Sequence, residues 1–395
     1  VRRMLRLGAP SSAAVLLRLT QFVVLACLGH LSSGPTQAAL ISSFGVVSAF
    51  GVLADSGAAN YLLGSSPEHL SRQRLIPVVR LHGMIALAGA TAAVIYCAAV
   101  FAEPLGDGVL IVVVLAAAQA LDSLIRAVRA PLLVHGLDHE FAGSDFLLAG
   151  AKVVVAIISL AVGSLIPLCA LPVASLVIGT IFWRRIWRML PVGERERGTA
   201  RRVLSFGIAG ASSALYSQSP LLIGGVLLPV EAVAALSLAS RIVQPTEIVP
   251  ATLAQQAIPR LRAGVIGVVP LALGLGGLGL LAGGALWLLR PLVEVLLGVA
   301  FEPVMVLAVI LLALPLKFAD YALTSGLYSR GMVRAKLIVS LMVGAIVIAA
   351  TVAAASTGGV VAVASVWILA EALLLLGLGG ALMLTRKQKE DLCGS

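Results

Sequence analysis

The chain of 395 residues is 60% hydrophobic and 12% charged, with a mean hydropathy of +1.06 and a net charge of +10. A water-soluble domain carries roughly 25% charged residues to keep its surface wet, so this composition excludes a soluble enzyme. The basic excess sits in short loops between apolar runs, a pattern that orients a protein in a bilayer and calls for no nucleic-acid partner.

A spanning helix needs about 20 mostly apolar residues. By that measure the first half of the chain predicts spans at 9–31, 36–63, 75–101, 107–132, 143–164 and 166–189. The second half predicts spans at 203–228, 231–258, 264–289, 301–327, 333–356 and 359–384. The run 9–31 is too long for the apolar core of a signal peptide and lacks a small-residue cleavage site, so it reads as a retained first helix. Turns are marked by Gly34-Pro35, Pro104, Pro167, Pro229, Pro291 and Gly358-Gly359. Pro245 and Pro250 interrupt span 8, and the glycine-rich run 274–284 has the small-residue spacing of close helix packing.

The most charged stretch, 184–207, separates two halves of similar design. Arg201, Arg202, Leu204 and Gly207 repeat the spacing of Arg2, Arg3, Leu5 and Gly8. Span 8 echoes span 2 through Val233–Leu236 and Gln37–Leu40, and Asp122 in span 4 matches Asp320 in span 10. The expected organisation is an N-terminal six-helix lobe at 1–190, a basic linker at 191–202, a C-terminal six-helix lobe at 203–385 and a tail at 386–395. Odd-to-even connections contain one basic residue, Arg290, whereas the N-terminus, the even-to-odd connections and the tail hold clusters of arginine and lysine. Positive loops stay in the cytoplasm, so both termini are expected inside a multi-pass protein of the cell membrane. Parallel repeats of this kind place a substrate path between the halves.

These features resemble the polysaccharide-repeat-unit flippases (O-antigen, capsule and teichoic-acid exporters) of the superfamily that also holds the multidrug and toxin extruders. The resemblance rests on the Arg-Arg-x-Leu-x-x-Gly opening of each half, on Phe50–Gly57, on Ala234–Arg241, and on Gln256–Leu261 with its Pro259. It implies an all-α, MATE-like fold of about twelve transmembrane helices in two six-helix lobes around a central cavity. It further implies alternating access and a polyprenyl-pyrophosphate-linked oligosaccharide as substrate, within membrane lipid. A polysaccharide polymerase and glycosyltransferases are the partners that such a transporter implies, and Na⁺ or H⁺ is the candidate coupling ion.

Charges at mid-bilayer cost at least about 2.5–3.5 kcal/mol each, so those inside spans are the informative residues. Arg241 lies near the middle of span 8, and Arg18 about nine residues into span 1. Guanidinium is permanently charged and forks onto phosphate oxygens, so both read either as binders of the substrate pyrophosphate or as partners of a buried acid. Lys152 in span 5 and Lys317 in span 10 are further substrate-binding candidates. Glu371 in span 12 reads as an arginine partner or a protonatable coupling site. Asp320 is placed to pair with Lys317, three residues away on the same helix face. Asp122, with Arg126 and Arg129, lies toward the inner end of span 4.

Catalysis is not expected, because no Ser/His/Asp set, paired-aspartate motif or phosphate loop stands in a supporting context. Cys27, Cys97, Cys169 and Cys393 form no Cys-x-x-Cys pair, so neither a disulfide framework nor a metal site is expected, and no cofactor. An ion-coupled exporter of small molecules is the competing function. It favours acids in the cavity, whereas two of the deepest charges here are arginines.

Overall fold

The computed structural model describes residues 2–193, 198–300 and 304–393, and the side chains of these except at 2–14, 209 and 385–393. Apart from turns and short loops the described residues are helical, with no strand among them. The first seven long helices are α1 (Arg2–Leu31), α2 (Gly34–Leu53), α3 (Arg72–Val100), α4 (Val109–Val134), α5 (Asp138–Val162), α6 (Ala170–Met189) and α7 (Thr199–Leu227). They are followed by α8 (Val230–Val243), α9 (Ile248–Arg262), α10 (Val268–Leu297), α11 (Val304–Ser329), α12 (Val333–Thr357) and α13 (Gly359–Cys393). Taking α8 and α9 as one broken span, these helices match the twelve predicted spans one to one. Among the described residues nine of them, α2 to α6 and α10 to α13, are individually long and apolar enough to cross a membrane.

Local chemistry explains the boundaries. Ser71 caps α3 by accepting a bond from the Arg74 amide, which satisfies one of the orphan donors of a helix start. Span 2 differs from its predicted range: α2 ends at Leu53, and a separate helix, Ala58–Leu63, follows a turn. The Gly57 amide bonds the Asp55 carboxylate at 2.9 Å, and Gly57 takes a φ of +72°, which a residue with a β-carbon adopts only at a cost. Pro291 does not end span 9, since α10 continues through it to Leu297. Span 8 does break as its prolines suggest. Pro245 opens a 3₁₀ turn at Gln244–Glu247, and Pro250 falls in the first turn of α9, where its missing N–H has no helical partner to lose.

The chain divides into two compact units, Val1–Ala214 with Leu296–Val299, and Leu215–Val295 with Ala300–Ser395. In the first, α4 is central: α2, α3, α5 and α6 all pack on it, while α1 packs on α5. Its buried core runs through Leu62, Leu75, Val128, Leu148 and Ile186. In the second unit α11 takes the corresponding place, packed by α8, α9 and α13, with α12 on α13. Leu327, Val347, Ala370 and Leu374 form its core. The proposed linker 191–202 includes residues 194–197, which lie outside the described residues, as do the last two residues of the tail.

Candidate functional site

Each unit holds buried charge on its central helix. In the first, Asp122 on α4 forms an ion pair with Lys152 on α5 and accepts a hydrogen bond from Ser175 on α6 at 2.8 Å. Two turns further along α4, Arg129 pairs with Asp145 on α5 and donates to Ser144 at 2.8 Å. The Arg129 guanidinium also lies over the Phe141 ring, 4.3 Å from its centroid. Beside them, His82 on α3 is buried between the Ser56 hydroxyl (2.7 Å) and the Ser123 hydroxyl (3.0 Å). Each buried carboxylate here faces an opposite charge, as charges kept from water require.

The second unit is different. Glu247, at the break between α8 and α9, accepts from Lys317 Nζ at 2.8 Å and from the Tyr321 hydroxyl at 3.1 Å. One turn along α11 from Lys317, Asp320 is 7% exposed and meets Glu371 of α13, which is 2% exposed. Neither oxygen of Asp320 has an N–H or O–H donor among the described groups. Two facing carboxylates hydrogen-bond to each other only through a proton held between them. The cluster therefore sets three carboxylates around one lysine.

The two arrangements occupy equivalent places in the repeat. Asp122 and Ser175 link spans 4 and 6, and Asp320 and Glu371 link spans 10 and 12. In the first unit Lys152 neutralises the acid. In the second, Asp320 faces a further acid, Glu371, in place of a serine or a lysine.

Arg241 lies at the end of α8, one turn before the break, and is 2% exposed. Its Nη1 donates to Gln244 Oε1 at 2.8 Å, within the 3₁₀ turn. The structure thus brings Lys317, Asp320 and Glu371 together, joined by Glu247 and Tyr321. It brings Lys152 and Asp122 together in the other unit. Arg18, on α1 of the first unit, is exposed. Lys317 makes its ion pair with Glu247, while Asp320 turns to Glu371. Tyr321 was not singled out by the sequence, and only its place next to Asp320 on α11 could have drawn attention to it. No group of three histidine, cysteine or acidic residues with metal-binding geometry occurs among the described residues.

No protein-family model and no curated protein matches the sequence. Solved structures do. The lipid II flippase MurJ in an inward closed conformation superposes with a TM-score of 0.70 at 12% identity, covering 95% of this chain and 87% of MurJ. The multidrug transporter DinF-BH, solved in complex with R6G, gives a TM-score of 0.68 at 13% identity over 97% of this chain and 95% of its own. A MATE-family multidrug transporter in its inward-facing conformation gives 0.67 at 14% identity over 95% and 99%. The chain is a multi-pass membrane protein with the all-helical, two-lobed fold shared by MurJ and the MATE transporters of the MOP superfamily.

Proposed function

We propose that this protein is an alternating-access transporter that moves a polyprenyl-pyrophosphate-linked oligosaccharide across the cell membrane for surface-polysaccharide assembly. The observation that supports this reading most is Arg241. It is a permanent cation inside an apolar span, set at a helix break that leaves backbone groups and Gln244 beside it. A pyrophosphate crossing a low-dielectric region needs such a group, and the fork of guanidinium fits two phosphate oxygens at once. Arg18 is the second substrate-binding candidate. Lys152 and Lys317 hold acids in their own units, which favours a supporting role for both. Coupling rests on Asp320 and Glu371, whose contact requires a proton that a pH gradient can load and unload.

The test uses purified protein in vesicles and a fluorescent polyprenyl-pyrophosphate oligosaccharide, with flipping read by loss of protection from an impermeant quencher. Arg241→Ala is expected to abolish flipping while the protein still inserts, and Arg241→Lys to keep part of it. Undiminished flipping by Arg241→Ala would overturn the assignment. The acid cluster of Glu247, Asp320 and Glu371 favours a second reading, a proton-coupled exporter of organic cations. Uptake of a cationic dye into inverted vesicles, indifferent to Arg241→Ala and lost in Glu371→Gln, is the result that would select it.

A further inference from the structure

Outside these clusters, the first unit carries an open groove of about 430 Å³ between α3, α4 and α6. Its walls are apolar, formed by residues such as Val79, Leu124, Val128 and Leu176, with Trp183 near one end. The polar side chains of α6 that line it are already engaged: Ser175 donates to Asp122, and Thr180 to the Leu176 carbonyl at 2.8 Å. Arg80 is the exception. It is exposed in the groove, and no described residue forms a hydrogen bond, ion pair or ring contact with it.

The depth of Arg80 defines what it meets. Helix α3 has 29 residues, about 43 Å, the full thickness of a bilayer with its headgroups. At its first residue, the Arg72 guanidinium lies 5.2 Å from the ring centre of Trp187, which stacks on Trp183 with centroids 5.5 Å apart. Tryptophan rings and arginines at a helix end mark the membrane interface. Arg80 is two turns deeper, about 12 Å along α3, which sets its backbone about 5 Å below the hydrocarbon boundary. A guanidinium at that depth extends toward the phosphate level, while the groove beneath it stays apolar.

We infer that this groove is a binding site for an anionic glycerophospholipid of the leaflet on the linker side, with its phosphate on Arg80 and one acyl chain between α4 and α6. The charge and the apolar wall are complementary to the two parts of that one molecule. The stacked indoles at the mouth supply the amphipathic rim that the glycerol region requires. The groove belongs to the first unit and the carboxylate cluster to the second, and the test of the groove does not depend on what the protein transports.

Native mass spectrometry of the full-length protein, titrated with phosphatidylglycerol and phosphatidylcholine of equal chain length, reads the site directly. The wild-type protein is expected to hold one phosphatidylglycerol about fivefold more tightly than phosphatidylcholine, the worth of one basic group at the headgroup level. Arg80→Gln should remove that preference, and Arg80→Lys should keep it. Thr180→Trp, which fills the exposed groove wall and keeps Arg80 in the chain, should remove the tight site for both lipids. Unchanged melting temperatures of the purified variants exclude misfolding as the cause. An undiminished preference in Arg80→Gln, or a tight site that survives Thr180→Trp, overturns the proposal. Displacement of phosphatidylglycerol by an equimolar polyprenyl pyrophosphate also overturns it, by giving the groove to that class of lipid.

Discussion

Asp320 illustrates how one residue changes its meaning with its partner. Lys317 lies three residues before it, yet the lysine is held by Glu247 and the aspartate meets Glu371. If Asp320 and Glu371 share a proton, as proposed for coupling, Asp320→Asn replaces it with an amide N–H that bonds Glu371 permanently. Protein level and melting temperature should hold, while the response of transport to an imposed pH gradient should vanish and gradient-free exchange should continue. Full gradient response in the variant would show that the proton is taken up elsewhere. The opposite expectation applies to Asp122 and Lys152, an ion pair with side chains only 10% and 15% exposed. Removing one partner leaves a buried charge, at a cost of about 3–5 kcal/mol, whereas removing both leaves none. Asp122→Ala should lower the melting temperature, and Asp122→Leu with Lys152→Met should restore it. Failure of the double variant to recover would point to a role beyond mutual neutralisation.

Among the elements, α10 shows how glycine placement encodes packing. A β-carbon at Gly279 would sit 2.7 Å from the Leu314 carbonyl oxygen of α11, and one at Gly283 would sit 3.2 Å from that of Leu311. Gly277, in the same helix, has open space around it. Small residues let two helices approach backbone to backbone, the main source of helix attraction where lipid is as apolar as the side chains. Gly279→Leu should therefore destabilise the second unit by about 1–3 kcal/mol, the range for overpacking. Gly277→Leu should leave the melting temperature unchanged. Equal behaviour of the two variants in a thermal unfolding assay would argue against a tight α10–α11 contact. The break between α8 and α9 has a similar origin, because Pro245 can open a turn but cannot continue a helix without losing a bond.

At the scale of the whole molecule, the one-sided distribution of basic residues predicts that the even-to-odd loops face the cytoplasm. Ser33, Gly198 and Thr357 are all exposed, so each accepts a reporter cysteine in a cysteine-free background. An impermeant thiol reagent added to intact cells should label positions 33 and 357 and leave 198 untouched. Labelling at 198 from outside would reverse the orientation.

What was legible in the sequence is what depends on neighbours along the chain. Hydropathy located the spans because a helix that crosses a bilayer must supply some 30 Å of apolar surface, as nine of the described helices do individually. Pro245 announced the break in span 8, and the run 274–284 announced a close helix contact. Gly57 shows the limit: an apolar run through 36–63 conceals the turn that its positive φ makes possible. Partner choice was not legible at all. Whether Asp320 faces Lys317 or Glu371 is set by the rotation of α11 against α13. The pairing of Lys152 with Asp122 likewise needs α5 laid against α4. The groove beside Arg80 exists only where three helices leave a gap. Spacing along one helix gives the face on which a charge lies, but only the packing of several helices decides what that face meets.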